Sequence, residues 1–462
     1  MRSFDVVVVG GAPAGEEAAG RLADRAMDVA LVEDRLIGGE CAHWACLPSK
    51  ALLRPYEALA EARRIAGVRE ALDGPLAVGS VLRRRDEIIG VDEATGAPGD
   101  ADLMTWVSDH RITLIRGRGR LAGLRRVTVG DEDIEARRAV ILAGGSKPLL
   151  PPIEGLGRID GLWTNREATT ADHVPRSMVI IGGGPVGVEM AQAFQTLGCQ
   201  VTVIEGASRL LPREEEYACV QVTAALAKYG VEICTGQVAE KCAQNGDTIT
   251  VTTADGTTAD GEVLLVALGR TPPTDDLGLE TVGLTPGGFL DVDAHMRVPG
   301  VPWLYAIGDI NGRALFTHMG KYQARLAADR IMGHEHAIAH GADAALAPHV
   351  TFTDPQVARV GHTTESATAA GIEHDVYDTE TSGSLGGLFY GPGAVGTARF
   401  LVDRSRRVLI GCTITGSEVV DFLHAATIAV AAEVPLERLR HAVPPFPTRS
   451  ELWLSLLEQA RV

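Results

Sequence analysis

The sequence predicts an α/β protein with two Rossmann-like dinucleotide-binding domains and a C-terminal α+β domain. Two observations predict this fold class. A buried-strand pattern leads into a glycine-rich turn and a helical stretch twice, at residues 4–33 and again at 177–205. After His349 the pattern changes to strand-like runs followed by helical stretches near 417–432 and 449–459, without a further glycine-rich turn.

The first unit opens with the apolar run Phe4–Val9, which is typical of a buried strand. Gly10, Ala12 and Gly15 form the turn, and the next strand ends at Glu33. Glycines at such a turn let the backbone approach a pyrophosphate, which lies on the helix N-terminus. The acidic residue is placed to accept hydrogen bonds from a ribose. Ala12 replaces the middle glycine of the usual pattern, so a methyl group narrows this approach.

The second unit repeats the first. The strand-like run Ser177–Ile181 leads into Gly182, Gly184 and Gly187, and the next strand ends at Glu205. The first glycine and the acidic residue are 23 positions apart in both units, from 10 to 33 and from 182 to 205. One glycine-rich turn is weak evidence of a nucleotide site, but a repeat with matched spacing predicts two such sites.

Two apolar runs that stop at glycine and proline bracket the second unit. They are Ala139–Pro148 and Val263–Pro273, and they contain the candidate cofactor-binding residues Ala143, Gly145 and Gly269. Because the same pattern stands on both sides, we expect the second unit to be inserted into the domain that the first unit begins.

A third strand-like run ends on Gly308 and Asp309 and precedes a helix that starts near His318. The Ala-, His- and Gly-rich stretch 333–347 is typical of a linker. We therefore expect a first nucleotide-binding domain in two parts, an inserted second one, and a C-terminal domain. The predicted boundaries are 1–148, 149–271, 272–345 and 346–462.

Two cysteines, Cys41 and Cys46, follow a glycine pair that ends at Gly39 and precede Lys50 and an amphipathic run. Such a pair can close a small disulfide ring at the start of a helix, whose N-terminus stabilises a thiolate once the ring opens. A thiolate attacks other disulfides. Unpaired core thiols, or a metal site that includes His43, are alternatives. A second Cys/His cluster at suitable spacing does not follow, so we expect no metal.

Composition excludes several classes of function. The chain has 462 residues, a 45% hydrophobic fraction and a net charge of -17, and it carries no basic stripe, which disfavours nucleic-acid binding. Its apolar runs fall short of the ~18 residues of a membrane span. The start, Met1–Val6, contains an acidic residue where a signal peptide is apolar, so we expect a cytoplasmic protein. A cytosolic disulfide is usually catalytic or redox-sensing.

Together these motifs resemble those of the flavoprotein disulfide reductases, the pyridine nucleotide-disulfide oxidoreductases that include dihydrolipoamide dehydrogenase, glutathione reductase and mercuric reductase. The resemblance covers nearly the whole chain. It implies that 1–148 and 272–345 form an FAD-binding domain, that 149–271 bind NAD(P)H, and that 346–462 form a dimerisation domain of a homodimer.

The resemblance also implies an enzyme that passes a hydride from NAD(P)H through FAD to a disulfide of Cys41 and Cys46, and on to a small disulfide substrate. Cys46 would lie against the flavin as a charge-transfer thiolate, while Cys41 would face the substrate. Lys50 and Glu189 match the family pair near the flavin N5. The implied cofactor-binding residues are Gly10, Ala12, Gly15, Glu33, Gly39, Ala143, Gly145, Gly182, Gly184, Gly187, Glu205, Gly269, Gly308, Asp309 and His318.

The acidic residue of the second unit bears on the choice of nucleotide. NADPH-dependent members of the family usually carry a basic residue where this chain has Glu205. A carboxylate suits a ribose 2′-hydroxyl and repels a 2′-phosphate. We therefore expect NADH as the electron donor, with NADPH as the alternative because Arg209 is nearby in the sequence.

The C-terminal segment departs from the family pattern. Members that act on lipoamide or glutathione carry His-Pro-Thr followed by Glu, and this His, from the partner subunit, is the general base. Here Phe446 stands in its place and Glu451 has no imidazole to orient. A phenyl ring cannot transfer a proton. His43, His441 or no residue replaces the base. If His43 is the base, His43→Gln abolishes disulfide turnover.

Three functions stay open at this point. The first is reduction of a small disulfide through the cysteine pair. The second is reduction of quinones or other electron acceptors at the flavin, with the cysteines as an auxiliary store, which the loss of the base at Phe446 favours. The third is a non-catalytic redox sensor.

Overall fold

The structure is a computed structural model that describes residues 1–92, 94–338, 343–394 and 396–462. Residues 339–342 of the predicted linker lie outside the described residues. The chain forms one large mixed sheet, a smaller parallel sheet with an antiparallel layer beside it, and a C-terminal antiparallel sheet.

The N-terminal segment supplies the strands of the large sheet and the helices around it. Val6–Val9 are buried because the centre of a parallel sheet is covered on both faces. The elements are β1 (Arg2–Val9), α1 (Pro13–Ala23), β2 (Val29–Glu33), α2 (Gly39–His43), α3 (Cys46–Arg64), α4 (Val78–Ile88), α5 (Ala101–Asp109), β3 (Thr113–Arg116), β4 (Gly119–Leu121), β5 (Arg126–Val129), β6 (Glu132–Leu142) and β7 (Lys147–Pro148).

The middle segment forms a parallel sheet with the strand order β10-β9-β8-β14, and β11, β12 and β13 form an antiparallel layer. The two-residue strands β7 and β15 pair at the point where the chain enters and leaves this segment. The elements are α6 (Asn165–Thr170), β8 (Ser177–Ile181), α7 (Pro185–Thr196), β9 (Gln200–Glu205), α8 (Glu216–Lys228), β10 (Glu232–Thr235), β11 (Ala239–Asn245), β12 (Thr248–Thr253), β13 (Thr258–Gly261), β14 (Val263–Val266) and β15 (Arg270–Thr271).

After the middle segment the chain returns to the large sheet. Strand β16 (Leu304–Ala306) pairs in parallel with the second half of β6, and α9 (Thr317–Ile331) follows it. Small residues make close packing of α1 on α9 feasible, since Ala18 and Ala19 of α1 and Ala327 and Ala328 of α9 are fully buried in one core. Parts of the chain on both sides of the middle segment thus share one sheet, as an inserted domain requires.

The C-terminal segment forms an antiparallel sheet with the order β17-β18-β21-β20-β19, and α11 and α13 pack against it. The elements are β17 (His349–Thr351), β18 (Gln356–Gly361), α10 (Thr364–Ala369), β19 (His374–Glu380), β20 (Thr397–Asp403), β21 (Val408–Gly416), α11 (Phe422–Ala431), α12 (Leu436–Leu439) and α13 (Leu452–Gln459). The predicted α/β fold class with an α+β C-terminal domain is confirmed, while the domain boundaries stay predictions.

Among the described residues, no helix combines the length and the apolar character that crossing a membrane requires. The cytoplasmic location inferred from the N-terminus stays a prediction.

Candidate active site

The two cysteines of the predicted redox pair lie at neighbouring helix ends and share a third residue. Cys41 is in α2, Cys46 begins α3, and both thiols are free and partly exposed. The hydroxyl of Thr317, which begins α9, lies 3.1 Å from the Sγ of Cys41 and 3.3 Å from the Sγ of Cys46. The position of Cys46 at a helix N-terminus favours a thiolate there.

The surroundings place the negative charge of the reduced pair on Cys46. The hydrogen bond from Cys41 lowers the pKa of the Cys46 thiol, Thr317 and the Lys50 ammonium lower it further, and burial opposes them. The same hydrogen bond, together with burial and the charge of Cys46, raises the pKa of the Cys41 thiol well above its usual range. Cys46 is therefore the thiolate of the pair and Cys41 the thiol.

Lys50 and Glu189 meet beside the pair, as the sequence predicts. Lys50 is four residues after Cys46 and therefore on the same face of α3. Its Nζ lies 2.8 Å from Oε2 of Glu189, which is buried on α7. The backbone N–H of Phe352 donates to the other carboxylate oxygen of Glu189 at 2.9 Å. The ammonium of Lys50 lies 4.6 Å from the centre of the Phe352 ring.

His43 is held inside the protein by a hydrogen bond to the backbone. Its ring is 2% exposed, and its Nε2 donates to the backbone oxygen of Ile37 at 2.7 Å. Its Nδ1 is buried and has no hydrogen-bond partner among the described residues. The imidazole is therefore anchored to the preceding loop rather than directed into open space. The geometry disfavours His43 as the substitute base, and the choice among His43, His441 and no residue stays a prediction.

The two glycine-rich turns have the same geometry. Gly10 and Gly182 both have a φ of 114°, in the region that favours glycine. A Cβ atom on Gly15 would lie 1.8 Å from the oxygen of Gly10, and one on Gly187 would lie 1.8 Å from the oxygen of Gly182. Each helix can therefore approach its turn only because glycine stands at the third position.

The acidic residues at the strand ends brace these turns. Oε2 of Glu33 accepts from the N–H of Gly11 at 2.6 Å, and Oε2 of Glu205 accepts from the N–H of Gly183 at 2.6 Å. Burial raises the pKa of Glu33 against the effect of its hydrogen bonds. Both carboxylates stand where the sequence places them, beside the turn, and their contact with a ribose stays a prediction.

Both turns fit a pyrophosphate. The N-caps Ala12 and Gly184 are extended, and in the described part of the chain neither α1 nor α7 has a side-chain acceptor at its cap. A Cβ atom on Gly184 would meet nothing within 4 Å, so space is open in front of the free N–H groups. The methyl group of Ala12 instead packs on Gly39, where an added Cβ would lie 2.7 Å from it.

A polar cluster surrounds Asp309 at the end of β16. Its Oδ2 accepts from the hydroxyl of Ser146 at 2.5 Å, and burial raises the pKa of its carboxyl. Arg270 donates to the same hydroxyl at 2.6 Å and to the backbone oxygen of Ser146 at 2.8 Å. The sequence analysis missed Ser146 and Arg270, although both directly follow predicted glycines, Gly145 and Gly269.

The remaining predicted cofactor residues are spread around this cluster. Gly145, Gly269 and Gly308 all have positive φ angles, of 67°, 112° and 74°. The N–H of Ala143 donates to Val9 at 2.7 Å and thereby joins β6 to the end of β1. One ring nitrogen of His318 is engaged by the C-terminal part of the chain: its Nε2 donates to the backbone oxygen of Pro348 at 2.7 Å.

The sequence analysis missed a set of contacts that clamps residues 40–46, the segment that carries both cysteines and is called the redox loop below. Asn165 of α6 donates to the carboxylate of Glu40 at 2.9 Å and to the backbone oxygen of Trp44 at 2.8 Å. Thr169 donates to the same backbone oxygen at 2.9 Å, and Arg166 pairs with Glu40. These contacts join the middle segment to the redox loop, so the periodicity of either segment alone gives no signal of them.

The two C-terminal candidates, Phe446 and Glu451, belong to a different segment of the chain from the cysteines. Glu451 belongs to a short 3₁₀ turn before α13, and its Oε2 is buried without a hydrogen-bond partner in the described regions. Phe446 is 70% exposed. Neither residue is brought to Cys41 or Cys46 by the contacts of the single chain.

Known proteins match this chain over almost its whole length. Residues 4–341 match the model of the Pyridine nucleotide-disulphide oxidoreductase family, and residues 347–456 match that of its dimerisation domain. The dihydrolipoyl dehydrogenase of Halobacterium salinarum is 31% identical over 99% of this chain and 96% of its own. That of Thermus scotoductus is 31% identical over 98% of this chain and 96% of its own.

Solved structures share the fold. A Cu(II) complex of the HOCl-induced flavoprotein disulfide reductase RclA from Escherichia coli aligns with a TM-score of 0.85 and 22% identity, over 99% of this chain and 100% of that one. LpdA from Mycobacterium tuberculosis aligns with a TM-score of 0.84 and 24% identity, over 100% of this chain and 99% of that one.

Proposed function

This chain belongs to the pyridine nucleotide-disulphide oxidoreductases, FAD-dependent enzymes that use NAD(H), and we propose that it reduces a small disulfide through Cys41 and Cys46. One observation carries the proposal. The two thiols share a hydrogen-bonding neighbour, and the Lys50–Glu189 ion pair lies one helical turn from Cys46. Such an arrangement serves thiol chemistry and has no evident use in a purely structural loop.

The residues that would hold the cofactors follow from the two turns. Gly10, Ala12 and Gly15 would receive the pyrophosphate of FAD, with Asp309 and Ser146 near its ribityl chain. Gly182, Gly184 and Gly187 would receive NADH. When bound, FAD supplies hydride chemistry between the nicotinamide and the cysteine disulfide.

The chain's own residues divide the work on the disulfide. Lys50 provides positive charge beside Cys46, and Glu189 holds that ammonium in place through a 2.8 Å contact. The lowered pKa of Cys46 keeps it as a thiolate. Cys41, as the thiol of the pair, is the residue that we assign to exchange with the substrate, since thiol–disulfide exchange needs one sulfur that is free to change partners.

NADH is the proposed electron donor. The carboxylate of Glu205 is held in place by the N–H groups of Gly183 and Ala207, both at 2.6 Å. A fixed negative charge repels a 2′-phosphate and accepts from a 2′-hydroxyl. The kcat/KM with NADH should exceed that with NADPH, and Glu205→Gln should narrow the ratio. Its matched control is Glu232→Gln, because Glu232 is an exposed glutamate on the neighbouring strand β10.

The experiment that tests the function is a panel of low-molecular-weight disulfides assayed with NADH under anaerobic conditions. The panel includes lipoamide, glutathione disulfide and cystine-type disulfides. Wild-type protein should turn over at least one of them, and Cys41→Ser should abolish this activity. Cys234→Ser is the control, since Cys234 is a partly buried thiol far from the pair in sequence and element. Turnover that persists in Cys41→Ser would refute the proposal.

A second function is favoured by Phe446. Reduction of quinones at the flavin needs no base for a dithiol, and no imidazole among the described residues hydrogen-bonds to either sulfur of the pair. In this case quinone reduction with NADH should survive Cys41→Ser, whereas no disulfide should be reduced by the wild type. The non-catalytic sensor would require instead that the purified protein fail to bind FAD.

We also propose a homodimer and a cytoplasmic location. The dimerisation domain supports the first. Large apolar side chains on this domain are exposed in the single chain, with Leu388 at 67%, Phe389 at 66% and Phe446 at 70%. A partner subunit would cover such a surface. Light scattering should give twice the mass of the chain at every concentration that retains activity.

A further inference from the structure

The hydroxyl of Thr317 contacts both reacting sulfur atoms. It lies 3.1 Å from Cys41 Sγ and 3.3 Å from Cys46 Sγ. A hydroxyl has one hydrogen and two acceptor positions, so it can donate to one sulfur and accept from the other. In the contact with Cys41 the hydroxyl of Thr317 is the donor, whereas either atom can be the donor in the contact with Cys46.

The backbone on both sides of this hydroxyl is held firmly. The ring of Phe316 stacks with those of His318 and His349, with ring centres 5.6 and 5.2 Å apart and planes within 10° and 3° of parallel. His318 donates to Pro348 at 2.7 Å, and His349 donates to the buried Glu214 at 2.8 Å. Thr317 is therefore presented to the sulfurs by residues whose own partners lie outside the site.

The reduced cysteine pair needs such a group, because few other side chains nearby can stabilise a thiolate on Cys41. Phe446 stands where related enzymes carry an imidazole, and His43 is turned into the protein. The charged groups that act on the pair are Lys50, which favours thiolates, and Glu189, which opposes them. Lys50 is engaged with Glu189 at 2.8 Å, so Thr317 is the neutral donor in contact with both sulfurs.

We propose that Thr317 is a catalytic residue of the exchange reaction, and that its hydroxyl donates to whichever sulfur carries the negative charge. This lets Cys41 become the attacking thiolate without an imidazole. The inference rests on the proposed reduction of a disulfide by this pair.

The proton balance is as follows for a reduced pair that holds one proton. The proton passes from Cys41 to the thiolate of Cys46, and the hydroxyl of Thr317 turns to Cys41. The Cys41 thiolate attacks one sulfur of the substrate, forms a mixed disulfide and releases the first product thiolate, which takes the proton from Cys46. The Cys46 thiolate then attacks Cys41, closes the disulfide and releases the second thiolate, which is protonated by water. The substrate gains two electrons and the pair loses two.

The test is alkylation of Cys41 by iodoacetamide in the FAD-loaded protein, reduced anaerobically with NADH, between pH 6 and 9. Peptide mass spectrometry follows the modification, so no disulfide substrate is involved. Thr317→Val removes the hydroxyl and keeps the shape, while Thr317→Ser keeps the hydroxyl. We expect alkylation of Cys41 to be about tenfold slower in Thr317→Val than in wild type at pH 7.5, and near the wild-type rate in Thr317→Ser.

Equal rates in wild type and Thr317→Val would overturn the proposal, and so would an equal loss in both variants, because the hydroxyl would then not be responsible. If Thr317→Val does not retain FAD, Thr317→Ala gives the same comparison with Thr317→Ser. Failure of the proposed function is distinguishable, since it would leave every disulfide unreduced while alkylation still depends on residue 317.

Discussion

At the scale of single residues, the proposed function depends most on the negative charge of Cys46. Its pKa is lowered by the hydrogen bond from Cys41, by Thr317 and by Lys50. A lowered pKa means that the thiolate is present at and above neutral pH and is lost only as the pH falls through the lowered value. In NADH-reduced protein, a long-wavelength absorbance band that reports this thiolate should therefore persist at pH 7 and fade in acid. A band that appears only above pH 9 would contradict this assignment.

Removal of the Lys50 charge should weaken that thiolate. In Lys50→Met, Cys46 loses the positive charge and Glu189 is left buried without its ammonium partner. We expect the pH midpoint of the long-wavelength band to rise by about one unit. Lys241→Met is the matched control, because Lys241 forms an exposed ion pair with Glu154 at 3.2 Å. A midpoint that moves equally in both variants would argue against a local effect of Lys50.

His43 should matter for stability rather than for proton transfer. His43→Leu removes the bond to Ile37 and leaves a buried carbonyl oxygen unsatisfied, which costs about 1–3 kcal/mol. Urea unfolding measures this loss. Among molecules that remain folded, the pH profile of disulfide turnover should keep its shape. If the pH profile of His43→Leu instead lacks one of its two limbs, His43 acts as a base.

Site residues that belong to a recognisable motif were predictable from the sequence, whereas residues that only the fold brings to the site were not. Lys50 and Glu189 follow from the family pattern, and the structure brings them together. Thr317 was passed over because its contacts with Cys46 and Cys41 span 271 and 276 positions, and a lone threonine at a helix start has no pattern of its own. The burial of His43 and its bond to Ile37 were not predictable, because the sequence shows the neighbours of a histidine but not the direction of its ring.

At the scale of elements, the glycine-rich turns join local geometry to cofactor binding. Gly187→Ala would place a Cβ atom 1.8 Å from the oxygen of Gly182, so α7 would have to withdraw from the turn. We expect the KM for NADH to rise at least about tenfold, while the FAD content stays unchanged because α1 is untouched. Gly157→Ala is the control, because a Cβ atom on Gly157 would meet nothing within 4 Å and this residue lies outside both turns. A loss of FAD in Gly187→Ala would contradict the assignment of the two turns.

The elements themselves were largely predictable where the hydrophobic period was strong. The strands at Phe4–Val9 and Ser177–Ile181, and the helices after both turns, appear where the pattern places them. The antiparallel layer β11, β12 and β13 was missed, because its strands are half-exposed and carry many charged and polar residues. The clamp from α6 to the redox loop was also missed, since it depends on packing between segments.

At the scale of the whole molecule, the insertion of the middle segment positions the site. Strand β16 returns to pair with β6 and thereby brings α9, with Thr317 at its start, back to the cysteines of α2 and α3. The middle segment contributes Glu189, and the C-terminal segment contributes the backbone of Phe352. The site thus draws on three parts of the chain. The two runs that stop at glycine and proline on either side of the second unit predicted this insertion, whereas contacts with a second chain, such as those proposed for Phe446, leave no pattern in the sequence.

The measurement that tests the central claim most directly is an anaerobic titration of the FAD-loaded protein with NADH, followed by absorbance. The first equivalent should give a long-wavelength band while most of the flavin absorbance remains, because its two electrons come to rest on Cys41 and Cys46. The second equivalent should then bleach the flavin. If the flavin bleaches fully with the first equivalent and no band forms, the cysteine pair takes no part in electron transfer, and the proposed disulfide reductase is contradicted.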